Sequence, residues 1–139
     1  MLSKNDPNAA LITTIFTGPK WRFSKHTGKP NQLALLEHDG KKIAALVVVR
    51  PASSEDYALS EAGLKHLIGT GITDIYVVLG VRATNVDRPE FVAAEKASLV
   101  HERVRDLPPR DGQWGPYWWI TAEFEPAFSS GGFSDSDVV

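Results

Sequence analysis

The sequence predicts an α/β (or α+β) domain with a mixed central sheet and helices packed on it. Three observations carry this. Ile43–Val49 and Ile72–Val81 are short apolar runs rich in β-branched residues, the pattern of strands covered on both faces. Asp39-Gly40, just before the first run, is a strong hairpin signal, so the segment ahead of it should pair antiparallel with that run. One helical segment separates the two runs, and a strand–helix–strand unit of this length makes its two strands parallel neighbours.

The elements follow in order. Asp6-Pro7 starts a helix, with a side-chain cap followed by a proline where no N–H is missed. Leu11, Ile12, Ile15 and Phe16 share one face of it, and Gly18-Pro19 ends it. Trp21 and Phe23 alternate with basic residues as in a half-exposed strand, and Thr27–Asn31 is its turn. Gln32–His38 is the second strand and Ile43–Val49 the third. A helix follows, starting at Ser53 or at Ser60, with Tyr57, Leu64, Leu67 and Ile68 on one face and Gly69 and Gly71 at its end. After the Ile72–Val81 strand, Asp87-Arg88-Pro89-Glu90 reads as a capped helix start. Ala93, Ala97, Val100, Val104 and Leu107 form its apolar stripe, and Pro108-Pro109 stops it. Asp111–Pro116 is a turn, and Tyr117–Glu125 is a last strand with Trp118, Ile120, Ala122 and Phe124 facing inward. The expected order is αβββαβαβ. Residues 1–127 form one globular domain, and the Ser-, Gly- and Asp-rich residues 128–139 form a flexible tail.

Composition narrows the function classes. With 42% hydrophobic and 23% charged residues, the 139-residue chain suits one self-sufficient domain. It has no cysteine, which excludes a disulfide framework, thiolate metal sites and a cysteine nucleophile. No run approaches the roughly 20 apolar residues of a membrane span, and the start lacks the apolar centre of a signal peptide, so a soluble, cytoplasmic protein without membrane contact is expected. The net charge of −2 hides an asymmetry: the first 50 residues hold eight Lys/Arg against three Asp/Glu, the remainder seven against fourteen. Such a basic half either attracts an anion such as nucleic acid or spreads over a solvated surface.

Pro30-Asn31 and Val48-Val49-Arg50, with the helix, three strands, helix and strand around them, resemble the PD-(D/E)XK nuclease-like superfamily. In that family a Pro-Asp opens the second strand and a Glu/Asp-x-Lys lies on the third. The resemblance spans roughly residues 7–80 and implies a nucleic-acid-associated core. It also implies a silent one. The family's carboxylates hold a divalent metal that activates water, whereas asparagine is a weak ligand, valine is none, and arginine carries protons poorly.

No other catalytic or cofactor signature replaces it. His26, His38, His66 and His101 form no HxH, HxxxH or HExxH pair, so no metal is expected. Gly69-Thr70-Gly71 lacks the third glycine of a dinucleotide loop and precedes a strand, and no GKS/GKT is present, so no cofactor is expected. Glu37 and Asp39 share a side of their strand and could grip a metal, while Asp39 also suits the hairpin turn and Glu37 an ordinary exposed position. Lys20, Trp21, Arg22 and Lys25 form an aromatic-basic set suited to a nucleic-acid backbone, to which Lys29, Asn31 and Arg50 could add. Tyr117 and Trp119 lie on the polar side of the last strand, where they could stack on a base or sugar or anchor a partner. Because each catalytic motif lacks its reactive group, the first reading is a non-catalytic interaction module, with a protein partner or self-association. The alternatives are the nucleic-acid-associated core and an enzyme with a site assembled from distant residues such as Glu37, Asp39 and His66.

Overall fold

The computed structural model describes residues 7–16, 21–23, 33–86, 88–113 and 115–120. Its register is set at Asp39 and Gly40, whose φ angles of 51° and 84° place both in the left-handed region. Two such residues make the tight primed turn whose twist matches its flanking strands. The turn joins β2 (Leu33–His38) to β3 (Lys41–Pro51), with Leu36 opposite Ile43 and Leu33 opposite Leu46. β1 (Trp21–Phe23) adds antiparallel to the far edge of β2.

Beyond β3 the chain forms β4 (Tyr57–Ser60) and α2 (Glu61–Ile68), then β5 (Asp74–Arg82), which lies parallel to β3 from Ile43–Asp74 to Pro51–Arg82. β6 (Glu90–Lys96) pairs antiparallel with β5 and leads into α3 (Ala97–Val104). β7 (Tyr117–Ile120) pairs with β4. The result is a mixed α/β fold: a five-stranded sheet in the order β1-β2-β3-β5-β6 and a separate two-stranded β4–β7 ribbon. No described helix is long and apolar enough to cross a membrane.

β3 is the strand that both faces share. Ala44, Leu46 and Val48 join one core with Leu64 and Leu67 of α2, Val100 and Val104 of α3, and Tyr57, Leu59, Trp118 and Ile120 of the ribbon. Ile43, Ala45 and Val47 join the other, under Leu11, Ile12 and Phe16, along and just past α1 (Ala9–Ile15). Alternation along the strand thus serves two layers at once, which is why the run carries no polar position. Gly80 of β5 lies directly beneath Leu11.

Three expectations are corrected. The helix expected over residues 87–107 is strand from Glu90 to Lys96 and helix only from Ala97 to Val104. The apolar spacing is helical for Ala97, Val100 and Val104, all buried, but Phe91-Val92-Ala93-Ala94 equally suits a strand. There β5 supplies an edge to pair, with Ala94 opposite Val78, and this tertiary pairing decides the outcome. Of the two expected helix starts the structure takes Ser60, whose Oγ accepts the Gly63 N–H at 3.1 Å, but Tyr57, expected on the helix face, sits in β4 with Leu59, both fully buried. The last strand is not part of the central sheet. It matches the inward reading at Trp118 and Ile120, both buried, but against β4. The order is therefore αββββαββαβ. Asp6, Gly18-Pro19, the Thr27–Asn31 turn, Asp87 and everything after Ile120 lie outside the described residues.

Candidate functional site

In open α/β sheets the carboxyl ends of parallel strands are the usual place for a ligand, because the chain leaves them in loops over a rigid floor. Here only β3 and β5 run parallel among the described strands; β5 ends at Arg82, and β3 carries Arg50 one residue before its end at Pro51. Arg50 follows Val48 on the face of α2 and the ribbon, and Arg82 follows Val78 and Gly80 on the face of α1. The sheet separates the two.

Arg50 is engaged by the protein. Its Nη1 donates to the Ser54 carbonyl, and its guanidinium lies 5.2 Å from the centre of the Tyr57 ring. It braces the loop between β3 and β4 against the ribbon.

Arg82 stands at a cleft. Val49 and Pro51 of β3, Asn8 just before α1, and the Ala83–Val86 loop line it, an open cleft of about 650 Å³. Arg82 Nη2 donates to Asn8 Oδ1, which fixes the guanidinium, and its Nε, like that of Arg50, is buried without an acceptor among the described residues. No described lining residue is acidic, and Arg82 makes no ion pair with a described residue. A guanidinium partly stripped of water, with no described carboxylate beside it, is an electrostatic deficit that an incoming anion offsets. The loop is a turn closed by the Val86 N–H to the Ala83 carbonyl at 3.3 Å, with Asn85 at φ 65°. Asparagine is the residue other than glycine that tolerates this region, and strained turns of this kind collect at ligand sites. A smaller cleft of about 160 Å³ adjoins along Leu46–Val49, sharing Asn8 and Val49 and bounded by Ala58 and Ser60.

The residues singled out in the sequence do not gather at this cleft. Lys20, Lys25 and Asn31 lie outside the described residues, and Trp21 lies on β1 opposite His38. Arg22 pairs across the strands with Glu37 at 3.2 Å. Glu37 stands opposite Lys42, eight positions along β3 from Arg50, or about 26 Å at the rise of a strand. Glu37 and Arg50 therefore belong to opposite ends of the sheet. Tyr117 and Trp119 are half-buried on the outer side of the ribbon, ring edge to ring face with centroids 5.2 Å apart. The Gly112 segment closes on Tyr117. His66 is exposed on α2, and among the described residues no three His, Asp or Glu side chains gather as a metal site.

Sequence reasoning missed Asn8, Arg82 and Asn85. A signal for Arg82 was present: it ends the second buried run as Arg50 ends the first, and the parallel pairing of those runs was already expected.

No family model matches the chain, and no curated protein matches it either.

Proposed function

We propose that this protein is a non-catalytic binding module that takes an anionic group in the cleft beside Arg82. The observation that carries the reading is the Arg82 guanidinium: positioned by Asn8, partly desolvated, without a carboxylate among its described neighbours, at the carboxyl end of the parallel strand pair. The nuclease-like resemblance belongs to the same proposal. The order α1, meander, α2 and β5, with β4 added before α2, is what supports it, and its metal-binding position would fall at Val48. Val48 is 7% exposed in the core, and Arg50 beside it is committed to Ser54 and Tyr57, which supports binding without hydrolysis at that position.

Thermal unfolding in sodium phosphate, compared with sodium chloride at matched ionic strength, tests the reading. A ligand bound only by the native state raises the melting temperature as its concentration passes the dissociation constant. The wild type should show a saturating rise in phosphate, and Arg82→Gln should lose it. An equal rise in both proteins would reflect the general salting effect of phosphate and would sink the proposal.

A further inference from the structure

Resting on the anion-site reading, we infer that the cleft takes a phosphate monoester carried on a ring-bearing body, a mononucleotide in kind, and not a nucleic-acid strand.

Size and charge argue for it together. Its volume of about 650 Å³ far exceeds what a bare oxyanion fills, and small-molecule sites occupy roughly 300–1,000 Å³. A strand would need a row of cations following its phosphates, because neutralising several phosphates is what holds a polyanion. The described lining offers one cation, Arg82, and hence a place for one phosphate.

The remaining lining suits the rest of such a molecule. Val49, Pro51 and the 47%-exposed Val86 give apolar surface for a ring. Asn85 and Thr84 stand on the same loop as Val86, at the rim of the cleft. A carboxamide presents a donor and an acceptor side by side, which matches the edge of a nucleobase. The φ of 65° at Asn85 holds that residue in a turn which glycine would form with less strain, so an asparagine side chain stands here at a conformational cost. Arg82 at the strand end and Asn85 three residues on then read the two ends of one ligand.

Calorimetric titration with AMP, CMP, adenosine, inorganic phosphate and a single-stranded 12-mer tests this. At least one mononucleotide should bind at least tenfold tighter than inorganic phosphate and tenfold tighter than adenosine. Arg82→Gln should reduce mononucleotide affinity to that of the nucleoside. Asn85→Gly, which keeps the backbone conformation and so preserves folding, should weaken the mononucleotide at least fivefold and leave phosphate unchanged. Phosphate binding as tightly as both nucleotides would overturn this inference while the anion site stands. Tighter binding of the 12-mer with a salt slope above about 2 would overturn it in favour of a strand. Failure of phosphate and nucleotides alike would overturn the inference and the anion site together.

Discussion

Leu11 of α1 lies so close over Gly80 of β5 that a Cβ built on the glycine would stand 2.5 Å from Leu11 Cδ1. The same Cβ would meet the Glu90 carbonyl oxygen at 3.1 Å, on the neighbouring strand. Gly80 is thus the seat of the first helix, two residues from Arg82. Gly80→Ala should destabilise by about 1–3 kcal/mol, the cost of overpacking a closed core. Chemical denaturation of Gly80→Ala, Leu11→Ala and the double variant measures the coupling. The double variant should be less destabilised than the sum of the singles, since Leu11→Ala removes the atoms the new methyl would strike and that methyl fills part of the space they leave. Strict additivity would refute the contact.

Val48 is buried beneath the ribbon, two residues from Arg50 on the same face of β3. Val48→Glu sets a carboxylate where the nuclease-like resemblance would have one. It should destabilise by about 3 kcal/mol or more, since the core there is built from Leu46, Tyr57 and Leu59. Melting curves with and without magnesium check this. Recovery of stability on adding the ion would show that a metal place persists there.

Gly40 has φ 84° and open space around its missing Cβ, so its role is conformational alone. Gly40→Ala should cost about 1–2 kcal/mol, the penalty of an L side chain in the left-handed region. Gly40→Asn should cost less. Equal losses in the two variants, read by denaturant midpoint, would contradict the primed turn.

Tyr76 faces Phe16 on the α1 side, with ring centroids 6.0 Å apart. Burial first, then the charges of Asp74 and Glu95, raise its phenol above the ordinary value of 10.0. The unfolded chain releases this proton more readily than the native one. The stabilising contribution is therefore complete below pH 10 and falls as pH rises from there through the native pKa. Tyr76→Phe should flatten the alkaline limb of a melting-temperature profile between pH 9 and 11 relative to wild type. An unchanged limb would assign it to other groups.

The parts of the fold legible in the sequence are those where local chemistry and tertiary pairing agree. Asp39-Gly40 dictates its turn whatever surrounds it, and an unbroken apolar run such as Ile43–Val49 has no stable place except between two layers. The parts misread are those where pairing overrides a local pattern. Glu90–Lys96 can satisfy a helical or an extended spacing, and only the open edge of β5 selects between them. Tyr57–Ser60 is too short to announce itself, because its partner stands far along the chain. The candidate site was hidden for a related reason. Asn8 and Arg82 meet only once α1 has settled across the sheet, and neither carries a motif.

The β4–β7 ribbon has a consequence for how the chain is made. β1, β2 and β3 find their partners within a short stretch, and β5 joins them across a single helix. Tyr57 meets Ile120 only across about 60 residues, a closure whose entropy cost and lateness grow with separation. Until Tyr117–Ile120 leaves the ribosome, Leu46, Val48 and Leu59 have no lid on the ribbon side. The nascent protein thus carries a sheet with one apolar flank still open, and β7 acts as the latch that ends its exposure to aggregation.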